Sequence, residues 1–281
     1  MRWFKKEIEK RASNYQGDFI SPVELQIRFD SKICYQKIDK LLTYGVNANV
    51  DVDQLIELLN EKHLLFSQLL QDDSINELQF SHLEKLANSN QPLISYLESI
   101  PLSVLRSQIK MLLHGEDELN HRMNLFITYF SDASSSKLEN AIWNFMAELL
   151  HFFRPETYPL MSRWVWHEQV QKGVMKEFVL TKNGHCCELM GGQSVDFEAY
   201  RVWFAQKLGK KGLFQDVHYL IDLIYAQAYS DYIMSITSRA NTTDTLIADS
   251  HLALGIISKL LGIEFNQNRP PLSIPKNVTL H

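Results

Sequence analysis

Residues 214–237, FQDVHYLIDLIYAQAYSDYIMSIT, read as one helix that is apolar on nearly every side. Leu220, Leu223, Ile224, Ala228, Ile233 and Met234 cover most directions around its axis, and a helix without a polar face has to be surrounded by other elements. The rest of the chain is therefore expected to pack around this rod. Two acids interrupt it, Asp222 and Asp231. A carboxylate taken out of water without a partner is costly, so each must be paired, hydrogen-bonded or open to a pocket. Asp222, Tyr225, Tyr229 and Tyr232 follow one stripe at helical spacing, a pattern that suits either the polar wall of a cleft or an internal hydrogen-bond network.

Helical periodicity also dominates elsewhere. With 11 Gly and 8 Pro in 281 residues, breakers are sparse, and apolar residues recurring every three or four positions predict helices over 22–43, 52–71, 77–88, 101–115, 117–130, 137–153, 195–208 and 246–261. In PLSVLRSQIKMLLHG, Pro101 opens the helix, Leu102, Leu105, Ile109 and Leu112 form its stripe, and Gly115 closes it. His114 is placed to satisfy carbonyls at the negative end of that helix. The loop SDASSSK, 131–137, ends in a serine cap and marks a boundary between an N-terminal helical subdomain, 1–130, and a C-terminal one, 137–281. One segment departs from the helical pattern: GVMKEFVLTKNGHCCELMGG, 173–192, has two β-prone runs around Asn183-Gly184, the residue pair that most readily makes a tight hairpin turn. The predicted fold is mainly α, a helical bundle-like protein of two packed subdomains with one β-hairpin near residues 174–190. The chain closes on a proline-rich stretch, NRPPLSIPKNVTLH, expected to be extended.

Composition narrows the functional classes. A hydrophobic content of 45% excludes general disorder. A net charge of −5 argues against a nucleic-acid partner, which needs a concentrated basic surface. No apolar run approaches the roughly 18 residues of a membrane span, so integral membrane association is not expected. The opening MRWFKKEIEKR lacks the apolar stretch of a secretory signal and reads as a basic amphipathic helix that caps the bundle. Three cysteines, Cys34, Cys186 and Cys187, form no disulfide framework. The expected compartment is cytoplasmic.

Candidate chemistry is thin. Glu118-x-x-His121 and Glu148-x-x-His151 have the spacing used by di-metal carboxylate bundles, but on the helical wheel Glu118, His121 and His151 fall away from the apolar stripes, with Glu148 at the margin. No metal site and no cofactor are expected. Cys186 and Cys187 diverge to opposite faces of the predicted ribbon, which suits packing better than chelation. No phosphate loop, dinucleotide fingerprint or nucleophile elbow occurs. Binding candidates come from two places. LMSRWVW supplies Arg163, Trp164 and Trp166, residue types enriched at protein interfaces, and two tryptophans two positions apart cannot share one helical stripe. The central helix supplies Asp222, Tyr225 and Tyr229. The function these features favour is that of a helical accessory or regulatory protein acting on a protein partner. The alternatives are an enzyme or small-ligand binder whose cleft lies between the subdomains, with Arg163 as charge partner of Asp222, and a di-metal carboxylate-histidine protein.

Overall fold

A computed structural model describes residues 28–43, 51–71, 91–130, 135–167, 169–170, 172–180, 197–238 and 246–263. Within them the chain forms helices α1 (Ser31–Leu42), α2 (Val52–Gln71), α3 (Gln91–Glu98), α4 (Leu102–His114), α5 (Leu119–Phe130), α6 (Ser136–Phe153), α7 (Phe197–Lys210), α8 (Val217–Ser238) and α9 (Leu246–Leu261). The helices predicted at the N-terminus and over 77–88, and the extended C-terminal tail, lie outside the described residues. None of the described helices is long and apolar enough to cross a membrane.

Local signals set the helix ends. Asp30 starts α1 by accepting from Lys32 N at 2.9 Å and Ile33 N at 3.1 Å, so the helix predicted from residue 22 begins later, and Arg28–Phe29 form a strand before it. Ser135 caps α6 and accepts from Lys137 N. At the end of α4 the capping role expected of His114 is taken by Arg122 of α5. This buried side chain donates to Leu112 O from Nη1 and, at 2.9 Å, to Asp117 O from Nε. Gly115 leaves it room, since a Cβ there would lie 2.8 Å from Arg122 Cδ and 2.5 Å from Met111 O.

Among the described residues the predicted hairpin does not form. Val174–Phe178 coil into a 3₁₀ turn, which turns Val174, Met175 and Phe178 together into the core; the alternation of a strand would send Val174 and Met175 to opposite faces. Of the described residues of that segment, only Val179–Leu180 form a strand (β2), and they pair antiparallel with Arg28–Phe29 (β1) in the register Phe29 to Val179. The turn at Asn183-Gly184 and the second arm, with Cys186 and Cys187, fall outside the described residues. Cys34 of α1 is fully buried, and burial pushes its thiol up to about 12.

Two helices organise the packing. α6 lies against α2, α3, α4 and α5, while α8 lies against α1, α2, α7, α9 and the 3₁₀ turn. The arrangement does not follow chain order: α1 joins the group around α8, and α6, from beyond the 131–137 loop, joins α3, α4 and α5. The expectation that 214–237 is central is met, for residues 219–228 of α8 are all buried.

Candidate functional site

Where α2, α6, α8 and α9 meet, four ionisable side chains are enclosed. Lys62 of α2 donates from Nζ to Glu148 Oε2 at 2.8 Å and to Leu261 O, at the end of α9, at 2.6 Å. Its ammonium also lies 4.0 Å from the ring centroid of Phe152. The Lys62 and Glu148 side chains are 1% and 3% exposed. Burial lowers the Lys62 pKa and raises that of Glu148, against the attraction each exerts on the other.

One turn on from Glu148, His151 reaches Asp222 of α8, with Nε2 2.8 Å from Oδ2 and both side chains at most 3% exposed. The two atoms are within ion-pair distance but off the axis of a well-aligned hydrogen bond. The other ring nitrogen, Nδ1, is 2.8 Å from Tyr158 O, and because a carbonyl only accepts, Nδ1 carries a proton. The helical-wheel expectation that His151 faces away from the core is thereby corrected. Residues 145–153 of α6 are buried all round, so its polar side faces other helices instead of water.

The metal alternative finds no support in this geometry. Glu118, just before α5, and His121 on it are exposed, and the Glu148 oxygen is bound by Lys62. Among the described residues no group of three or more His, Cys, Asp or Glu side chains is placed to hold a metal ion.

The six residues predicted to bind fall in several places. Asp222 is the partner of His151, not of Arg163. Tyr225 is buried edge-on to Phe178 and Phe204, and burial raises its hydroxyl pKa well above the ordinary value. Trp166 is buried. Arg163 stacks over Trp143 at 4.0 Å, with Nη1 3.3 Å from His167 Nδ1. Trp164 and Tyr229 do meet, edge to face at 5.9 Å, and both are half-buried. From Tyr229 the row continues to Tyr232, at 6.3 Å between rings, and to Ile236 one turn further along α8. Tyr232 is 53% and Ile236 50% exposed.

Sequence reasoning overlooked Lys62 and His218 entirely. A lysine and a histidine within otherwise ordinary helices carry no signal of burial unless the helix around them is known to be enclosed. In a charged cluster between α1, α8 and the 3₁₀ turn, the sequence marked Asp231 as an acid in need of a partner but did not point to Lys37, Lys40 or Glu177. Asp231 accepts from Lys37 at 2.6 Å, Lys40 at 2.5 Å and Gln227 at 2.6 Å, and Glu177 lies 3.3 Å from Lys37. Burial raises the Glu177 pKa. Lys37, Lys40, Glu177 and Asp231, with Ile33 and Gln36, line an open depression of about 320 Å³ in which every charge faces an opposite one. The chain matches no protein-family model, no curated protein and no solved structure.

Proposed function

We propose that the protein is a helical accessory or regulatory factor that works by protein contact, docking a partner on the row Trp164, Tyr229, Tyr232 and Ile236. The observation that carries this reading is the row itself: large apolar and aromatic groups left at the surface on the outer half of the central helix. Aromatic side chains of this kind supply rigid contact area at low entropic cost and dominate protein interfaces. A ligand cleft is less well supported, because Asp222 and Tyr225 are engaged within the core, by His151 and by Phe178 and Phe204. Arg163, stacked on Trp143 next to the row, adds directional donors at its edge. The parts on either side of the 131–137 loop act in this reading as one scaffold presenting the row.

Substituting Tyr232→Ser together with Ile236→Ser tests it, since both side chains are half-exposed and their loss leaves the core intact. Quantitative mass spectrometry of proteins captured from the native host by the wild type and by the double variant should show at least one partner retained by the first and lost by the second. Identical captured sets, with both baits equally folded, would refute the row as the docking surface.

A further inference from the structure

The C-terminal end of α7 sets exposed apolar side chains beside lysines. After Lys210 the helix stops in a glycine turn: Gly212 has φ +80°, its N–H donates to Gly209 O at 3.1 Å, and Leu213 N donates to Leu208 O at 3.0 Å. The reversal leaves Leu213 half-buried and Phe214 outside, 55% exposed. The Phe214 ring rests on the helix at Gly209, where a Cβ would come within 3.3 Å of Phe214 Cε1. Gly209 is seven residues on from Val202, so Val202 and the ring share one face of α7. Val202 is 42% exposed, and with Phe214 it marks the two ends of an apolar strip turned to water.

Lysines border that strip. Lys210, next to Gly209, is exposed and meets no carboxylate among the described residues. Lys207 lies over the half-buried ring of Trp203 at 5.3 Å, and Lys211 turns to α1, where it is bound by Asp39 at 2.6 Å. Of the acids on this side of the chain, Glu198 is paired with Arg201 at 2.6 Å, and Asp216 is exposed two residues beyond Phe214. Lys207, Lys210 and Lys211 therefore stand against Asp39 and Asp216. Lysines in the last turn of a helix also complement its negative end, but that role requires no exposed phenylalanine among them. A ring that projects from a turn beside ammonium groups has the form of an interfacial anchor: it can enter the headgroup region of a bilayer while the long lysine stems keep their charges with the phosphates.

We infer that this end of α7 is a peripheral attachment surface for bilayers carrying anionic lipid, with Phe214 and Val202 entering the interface and Lys210 and Lys207 meeting the lipid phosphates. The net charge of −5 repels the chain as a whole from such a surface, so it approaches by the face where lysines outnumber acids. One exposed ring and two lysines free of carboxylates are a weak anchor, so attachment is reversible and sensitive to salt. It uses none of the residues of the row Trp164, Tyr229, Tyr232 and Ile236, which stays open to a protein partner.

Co-sedimentation of the full chain with vesicles tests this. With phosphatidylcholine and phosphatidylserine at about 7 to 3 in low salt, the wild type should pellet. It should stay in solution with phosphatidylcholine alone, and with the anionic vesicles in about 1 M salt. Phe214→Ser and Lys210→Glu should each weaken the partition by about tenfold, with helix content and melting temperature nearly unchanged because both side chains are exposed. Wild type that does not pellet with anionic vesicles, or pellets equally with neutral ones, would overturn the inference. So would undiminished binding by the double variant, which would assign it to another basic stretch such as MRWFKKEIEKR. Binding to soluble polyglutamate as tight as to the vesicles, and indifferent to Phe214→Ser, would make an acidic polypeptide the ligand and overturn it as well.

Discussion

Gly173 sits where two stretches of backbone cross. Its φ is +150°, and a Cβ on it would lie 2.3 Å from Val165 O and 2.6 Å from Trp166 Cα. The crossing is held by Val174 N donating to Trp164 O at 3.1 Å and Met175 N donating to Val165 O at 3.2 Å. These bonds fix the tryptophan segment against the 3₁₀ turn, so that Trp166 enters the core while Trp164 stays beside Tyr229. A side chain here meets backbone on both sides, with nothing flexible to yield. Gly173→Ala should therefore cost about 3 kcal/mol and lower the melting temperature by several degrees. It should also disturb tryptophan fluorescence in the folded state. A melting curve and emission spectrum matching the wild type would mean that the crossing relaxes. The sequence around Gly173 offered the opposite impression, a strand entering a hairpin, because the β-branched run is visible and the backbone crossing is not.

At the scale of elements, α6 and α8 show which helices can be read and which cannot. α8 announces its position by carrying apolar residues on nearly every side, and Asp222 was legible there as an acid in need of a partner. α6 carries Asn140, Asn144, Glu148 and His151, which resemble a water-facing side, and nothing local says that α2 and α8 close over its second half. Helix α3, two turns long, was too short for periodicity to reveal it. The cost of enclosing the polar side of α6 can be measured. Lys62 and Glu148 are both shifted toward their neutral forms by burial, the condition in which desolvation competes closely with mutual attraction. Lys62→Met strands the Glu148 carboxylate and Glu148→Leu strands the ammonium; each should cost about 3–5 kcal/mol. The double substitution should recover most of that, leaving about 1 kcal/mol for Leu261 O, which loses its donor. Urea midpoints for the four proteins complete the cycle. Additive losses in the double variant would show that the two charges do not compensate each other.

For the whole molecule, the question is whether the parts joined at 131–137 unfold together. Buried apolar residues from every described helix belong to one continuous cluster. Across it run the pair His151 with Asp222, joining α6 to α8, and the Lys62 contacts, joining α2 to α6 and α9. Separating the helices around α6 from those around α8 would expose these charges half-paired and open α2, which packs against both. Such an intermediate gains the entropy of one part while bearing the solvation mismatch of both, so it should not accumulate. Heating should give a single transition in which helix content and tryptophan fluorescence fall together. The probes are well spread: Trp143 is on α6, Trp164 and Trp166 are in the segment that follows it, and Trp203 is on α7 against Phe29. Asn substituted for Asp222 removes one carboxylate from the seam and should lower both signals by the same temperature interval. If helix content instead falls in two steps, with only the second shifted by the substitution, the group around α6 folds without the seam, and α2 belongs to it alone.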